Sequence, residues 1–227
     1  MTITHHPPDD TVLRYANGTL PEAPAIVVAT HLSFCPPCRH RMETYEMLGG
    51  SMLEAAAPAT LSADALSATL ARLDGVDRLD GVALKNGGKK PEAQDGRQRP
   101  DLPAGMAWPP PLRHYDIPSW RFVLPGVKWA PLTLTGPESG QIMLVRGVPG
   151  AKLPSHGHDG TEYTCVLTGS FSDSSGTYNV GDLIEASEDH DHQPIVTPDA
   201  ECVCLIALDG HLRLHGLARL LQPFLGL

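Results

Sequence analysis

Two groups of metal-ligand residue types stand far apart in this chain. The first is His31-x-x-x-Cys35-x-x-Cys38, with His5 and His6 upstream. The second is His156-Gly157-His158 followed by Glu162, with His190 and His192 further on. Two sulfurs combined with imidazole nitrogens suit tetrahedral Zn²⁺, whereas histidines with a carboxylate suit a wider range of divalent ions. Two such sites on different frameworks point to a metal-dependent regulator rather than a single-site enzyme.

In the first group, Cys35 and Cys38 are three residues apart and can meet at one point from a turn-to-helix junction. His31 lies one helical turn before Cys35, so its ring can face the same point. Tetrahedral zinc needs one more ligand, and His5 or His6 can supply it. Zinc sites of this kind in small peptides contribute about 10–16 kcal/mol of apparent binding free energy, enough to order a small helical domain. Thiolates are also the readily oxidised form of cysteine, which gives such a site a chemical handle. A bare Cys-x-x-Cys is also compatible with an ordinary buried pair. A redox-active dithiol fits less well, because no βαβ pattern surrounds it.

In the second group, His156 and His158 are two apart and share one face of a strand. Glu162 keeps the even spacing, and a turn at Gly160 is expected to return it to the same side. A later strand must bring the last histidine, either His190 or His192. Three imidazoles and a carboxylate can hold Zn, Fe, Mn, Ni or Cu, and spacing does not select among them. A divalent metal is expected there, Zn²⁺ foremost. Cys202-Val203-Cys204 on one strand turns both sulfurs to the same side; they are small wall residues or a sensing pair. Cys165 reads as core.

The elements that must position these groups change character along the chain. Asp9 and Asp10 can cap a helix over Thr11–Asn17 that Gly18 ends, and Pro21-Glu22 opens a second helix that stops near Cys35. A third runs from Pro36-Pro37 to about Ala57, with Met42, Tyr45, Met47 and Leu48 as core positions and Gly49-Gly50 as a weak point. A fourth follows Ser62, with Leu66, Leu70 and Leu73 in one stripe. Residues 76–107 lose apolar periodicity and read as a flexible linker with a reach of roughly 30 Å, so the flanking regions need not touch. Beyond Trp108, short β-prone runs at Gln141–Val148, Tyr163–Leu167, Thr177–Val180 and Cys202–Leu208 alternate with turn residues, as in a sandwich or barrel.

Composition narrows the function classes. The chain has 227 residues and a formal charge of −9, which argues against direct nucleic-acid binding because phosphate contacts need clustered Lys and Arg. Residues 81–100 carry +3 (five Lys/Arg, two Asp/Glu) and residues 101–227 carry −7 (seven Lys/Arg, fourteen Asp/Glu). The basic stretch reads as a solvated linker. The five cysteines are an odd number, and Met1-Thr-Ile-Thr-His-His has no basic region leading into an apolar one. The longest apolar stretch, Ala23–Ala29, contains Pro24 and is too short to span a bilayer. A cytoplasmic protein with reduced or metal-bound thiols is expected.

The His-x-x-x-Cys-x-x-Cys motif with an upstream His resembles the zinc-binding anti-sigma factors, small helical domains that clasp an extracytoplasmic-function sigma factor. That resemblance covers residues 1–75 and implies His6, His31, Cys35 and Cys38 as zinc ligands, with His5 a neighbour. The string Gly150-x5-His156-x-His158-x3-Glu162-x6-Gly169 is similar to the first cupin motif, and Gly181-Asp182 opens the second. The second motif departs from the common pattern, lacking its Pro-x-Gly and its later Asn. The resemblance implies His156, His158, Glu162 and His192 as metal ligands, with His190 the runner-up. Leu124-Pro-Gly-Val-x-Trp129-x-Pro-Leu132 also recurs in such cupins.

Together the two halves resemble the ChrR-like zinc-binding anti-sigma factors with a C-terminal cupin domain. The implied architecture is an α+β chain of two domains: a small all-α zinc-binding domain over 1–75, the linker over 76–107, and an all-β cupin (jelly-roll) barrel over 108–227. The implied function is inhibition of a group IV sigma factor by the first domain. Release follows when the cupin domain senses singlet oxygen or related oxidants. Tyr15, Leu20, Met47 and the Leu66–Leu70–Leu73 stripe are candidates for the face that meets sigma. No catalytic residue, direct nucleic-acid contact or membrane contact is implied. A cupin metalloenzyme of dioxygenase or isomerase type, with a zinc-binding appendage, accounts for the second half alone. A zinc-finger DNA binder is opposed by the acidic balance and the lack of a basic helix.

Overall fold

Glu22–Phe34 carries apolar side chains on every side, a pattern that marks a helix enclosed by its surroundings rather than one lying on a surface. The computed structural model, which describes residues 2–76, 99–134, 140–187 and 191–214, bears this out. Helix α2 (Glu22–Phe34) buries Ala23, Pro24, Ile26, Val27, Val28, Thr30, His31 and Leu32. It follows α1 (Asp9–Ala16) and precedes α3 (Pro36–Ala55). Asp9 and Asp10 lie in the first turn of α1, where they complement the helix dipole, and the flanking Pro8 makes no side-chain cap. Gly18, at φ 73°, ends the helix as expected.

Apart from a fourth helix and a 3₁₀ turn, the remaining regular structure among the described residues is antiparallel β. The strands are β1 (Arg121–Leu124), β2 (Val127–Pro131), β3 (Gln141–Gly147), β4 (His156–Thr168), β5 (Ser170–Ser172), β6 (Thr177–Asn179), β7 (Leu183–Ala186), β8 (Ile195–Val196) and β9 (Cys202–Leu214). Six form one sheet in the order β1-β2-β3-β9-β4-β7, and three form a second in the order β6-β5-β8. A 3₁₀ turn at Pro110–His114 buries Leu112 beside α2.

The two long strands β4 and β9 pair along their length, and both are buried on two faces. Tyr163, Cys165 and Leu167 of β4, with Val203, Leu205 and Ala207 of β9, face a core shared with Val27, Val28 and Leu32 of α2. The alternate residues, Val166 of β4 and Cys202 and Cys204 of β9, face a second core with Val127, Phe171, Tyr178 and Val196. Period-two alternation thus gives one sheet two apolar faces, one under the helix and one in the barrel lumen. A turn is expected at Gly160, but β4 runs straight through it. Gly160, at φ 136°, lies directly opposite Gly210, at φ 129°, and a Cβ on either would strike the backbone of the other strand.

Residues 1–49 and 97–227 form one compact unit, and residues 50–96 a second. The amino-terminal helices therefore share a core with the barrel, where composition allows the two regions to stay apart. Most of the expected linker, residues 77–98, lies outside the described residues. In the second unit, α3 ends at Ala55 and α4 spans Ala65–Val76. Leu66, Leu70 and Leu73 are 72%, 50% and 58% exposed, so the stripe is uncovered among the described residues. Met47 and Leu48, expected in a core, are also exposed, while Tyr15 and Leu20 pack into the core. No helix among the described residues is long and apolar enough to cross a membrane.

Because α2 and the barrel share a core, Leu205→Ala should cost about 2–5 kcal/mol. Far-ultraviolet circular dichroism and tryptophan fluorescence should move together in one shifted transition. A second expectation concerns Glu185 on β7, whose Oε2 accepts a hydrogen bond from the Thr11 hydroxyl at 3.1 Å. Burial pushes its carboxyl up to about 6, from an ordinary 4.5, against the lowering effect of Thr11. A raised folded-state value means stability present at acid pH is lost as pH rises through about 6. Glu185→Gln should therefore melt at a higher temperature than the parent above pH 7, and the gain should vanish below pH 4.5.

Candidate metal centres

The four residues of the first cluster come from three successive pieces of chain. His6 precedes α1, His31 sits in the last turn of α2, Cys35 ends that helix, and Cys38 lies in the first turn of α3. One donor atom from each lies within 4.8 Å of all the others. His6 Nδ1 stands 3.4 Å from Cys35 Sγ and 3.3 Å from Cys38 Sγ. Tetrahedral zinc, with bonds of about 2.0 Å to nitrogen and 2.3 Å to sulfur, separates such donors by about 3.5 Å.

The environment suits a cation bound through sulfur. His31 is fully buried, its Nδ1–H donates to the Gly181 carbonyl at 2.7 Å, and its Nε2 has no hydrogen-bond partner. That pattern turns Nε2 toward the cluster as the atom a metal could take, and fixes the tautomer from behind. Burial pulls the imidazole down to about 4, so it is neutral near pH 7, as a ligand must be. Burial, reinforced by the neighbouring Cys35, pushes the Cys38 thiol up to about 11, which the Arg41 guanidinium only partly offsets. Two buried thiolates therefore need a cation between them. Arg41 donates to Cys38 Sγ at 3.3 Å and is held by Asp9 and the Pro7 carbonyl, both at 2.8 Å. His5 points elsewhere, with Nδ1 3.3 Å from Asp182 Oδ2.

The second cluster sits in the barrel lumen. His156, His158 and Glu162 lie on the inward face of β4, and His192 arrives through a bridge to His156. All four are buried. His192 Nε2 is 3.0 Å from His156 Nε2 and 3.4 Å from His158 Nε2, close to the spacing of nitrogens around one ion. Two of the three rings are aimed from behind: His156 Nδ1 donates to the Pro154 carbonyl at 2.8 Å and His192 Nδ1 to Asp173 at 3.1 Å. The Thr164 hydroxyl donates to Glu162 Oε1 at 2.9 Å. Burial raises the Glu162 carboxyl, but the surrounding imidazoles, His156 foremost with Nε2 3.8 Å from Oε2, outweigh it and bring it down to about 2. His190 lies outside the described residues.

An apolar cavity of about 130 Å³ opens beside these donors, lined by Val127, Trp129, Phe171 and Val196 among others. Cys202 and Cys204 line it too, their sulfurs 3.6 Å apart. Cys165 faces the other way, into the core under α2. Sequence reasoning missed the supporting groups: Arg41, Asp173 and Thr164. Arg41 lies within the predicted third helix, where it reads as an ordinary solvated cation, and Asp173 sits in a Ser-Asp-Ser-Ser turn like any surface loop.

A jelly-roll barrel with a lumen His/Glu cluster, joined to helices that carry a His/Cys cluster, defines the class: a cupin fused to a helical segment with metal-ligand residue types. A family model described as the ChrR cupin-like domain matches residues 112–212. The anti-sigma-E factor ChrR of Cereibacter sphaeroides is 37% identical over 231 residues, covering 99% of each chain. The crystal structure of Rhodobacter sphaeroides SigE in complex with the anti-sigma ChrR matches 92% of this chain and 100% of that one, with 33% identity and a TM-score of 0.69. The chain belongs to the ChrR family of anti-sigma factors.

The two clusters share no residue, so their metal contents should be separable. Cys35→Ala should remove the ion of the first and leave the second, and His156→Ala should do the reverse. Elemental analysis of the purified variants should show about half the parent metal in each case.

Proposed function

We propose that this protein binds an extracytoplasmic-function (group IV) sigma factor and holds it inactive, releasing it in response to singlet oxygen or related oxidants sensed through the cupin barrel. In this reading His6, His31, Cys35 and Cys38 bind Zn²⁺, and His156, His158, Glu162 and His192 bind a divalent metal, Zn²⁺ foremost. The protein acts by association and catalyses no reaction. The single observation that carries the reading is the likeness to an anti-sigma factor across 99% of both chains, which takes in the helices and the barrel alike.

Zinc, when bound, supplies a fixed tetrahedral centre for two thiolates and two imidazoles. The chain's own residues do the rest. His31, Cys35 and Cys38 set the angle between α2 and α3, and His6 ties the segment before α1 to both. The exposed Leu66, Leu70 and Leu73 of α4 recur at helical spacing and offer a stripe of the kind an amphipathic helix lays into a partner's groove. Met47 and Leu48 on α3 are exposed as well. An oxidant changes sigma binding only if the modified state has lower affinity for sigma.

The apolar cavity beside the lumen donors favours a second reading, a cupin metalloenzyme of dioxygenase or isomerase type. Steady turnover of a small substrate by the purified chain would favour that alternative.

The decisive experiment is copurification of the chain with sigma factors of its native cell, followed by transcription from the sigma-dependent promoter. The chain should retain one extracytoplasmic-function sigma factor and silence it. Cys35→Ala should restore transcription. His156→Ala and Glu162→Ala should stay inhibitory but fail to respond to oxidant. Leu66→Asp with Leu70→Asp should weaken sigma binding at least 30-fold, about 2 kcal/mol or more, without loss of zinc. A chain indifferent to every sigma subunit overturns the proposal.

A further inference from the structure

The turn between β6 and β7 belongs to the barrel, yet its polar groups reach the segment and the helix that carry the His/Cys cluster. Asp182 is fully buried. Its Oδ1 accepts hydrogen bonds from the backbone N–H of Thr4 at 2.7 Å and of His5 at 3.0 Å. Its Oδ2 accepts from the Asn179 N–H at 2.8 Å and lies 3.3 Å from His5 Nδ1. On either side of it, the Gly181 carbonyl receives His31 Nδ1–H at 2.7 Å, and the Leu183 N–H donates to the His5 carbonyl at 3.1 Å. The turn is itself fastened to β4: Gly181 N–H donates to the Val166 carbonyl at 2.9 Å, and Val166 N–H to the Asp182 carbonyl at 3.1 Å.

These contacts solve a problem that the cluster cannot solve alone. His6 is exposed and sits on chain with no helix or strand of its own. Holding its Nδ1 beside both sulfurs means fixing the backbone just before it, at a cost in conformational entropy. A buried carboxylate that accepts two consecutive amides fixes that backbone, and bonds to an ionised acceptor are the strong kind. No room is left for drift on the other side. A Cβ at Gly181, whose φ is 89°, would come 2.7 Å from Ile3 Cδ1 and 3.1 Å from Phe34 Cβ.

We propose that Asp182 is a positioning residue for the amino-terminal zinc cluster. It fixes Thr4 and His5 so that His6 reaches the sulfurs, while the neighbouring Gly181 carbonyl sets the ring and tautomer of His31. The zinc cluster is thus finished by a barrel turn that contributes no ligand. This inference rests on the zinc reading of His6, His31, Cys35 and Cys38.

The test uses the full chain loaded with Zn²⁺ or, for spectroscopy, with Co²⁺. A thiolate-to-cobalt absorption band reports the His/Cys cluster, since the three-His, one-Glu set cannot produce it. Asp182→Ala should lower zinc affinity at that cluster by about 10-fold or more, speed release to a chelator, and shift the cobalt band. Asp182→Asn keeps one oxygen for the Thr4 and His5 amides and should recover most of the affinity. Gly181→Ala crowds Ile3 and should weaken zinc independently, so the inference stays testable if Asp182→Ala does not fold. Parent-like zinc release and an unchanged cobalt band in both Asp182→Ala and Gly181→Ala would overturn it, as would Asp182 variants that change only the melting temperature. A parent chain showing no thiolate band and no Cys35-dependent zinc removes the zinc reading, and this inference with it.

Discussion

Strands β4 and β9 are buried on both faces, and that constraint organises everything else. A strand alternates its side chains, so two buried faces demand two separate covers. The barrel lumen covers one, and α2 covers the other. On β4 the lumen face carries His156, His158 and Glu162, while Tyr163, Cys165 and Leu167 meet the helix. The same alternation explains why α2 is apolar all round. It serves as a wall between the sheet on one side and the 3₁₀ turn with α1 on the other.

That arrangement makes α1, α2 and the barrel one body. The second unit differs in kind. Its described residues expose Met52, Leu53, Leu66, Leu70 and Leu73, with few apolar groups turned inward. Surface of that sort is costly to leave in water, at roughly 25 cal/mol per Å². It is the expected state of a module that finds its cover on another molecule.

Much of this was legible in the residues alone. The spacing of His31, Cys35 and Cys38 pointed to one site because each step matches a helical turn or a helix start. The even spacing of His156, His158 and Glu162 placed them on one face because strand side chains alternate. His6 over His5 was legible only by resemblance; the structure separates them because His5 is drawn off to Asp182. Three things were not legible. Met47 and Leu48 follow a core-like pattern, but no local signal reports whether a partner is present to cover them. The contact of α2 with the barrel joins residues more than a hundred positions apart, and apolar composition all round the helix was its only trace. Gly160 reads as a turn because glycine punctuates chains, whereas here it answers to Gly210 across the ladder.

That glycine pair has a further meaning. Each of the two residues occupies space that any side chain on the other strand would need, so the strands can approach this closely only where two hydrogen-only residues meet. Sliding β4 by a single step along β9 would set Asp159 or Thr161 against Gly210 and force the backbones apart. The meeting point therefore works as an alignment pin. It excludes the one-residue slip that would turn the donor imidazoles and carboxylate out of the lumen and bring Tyr163 and Cys165 in.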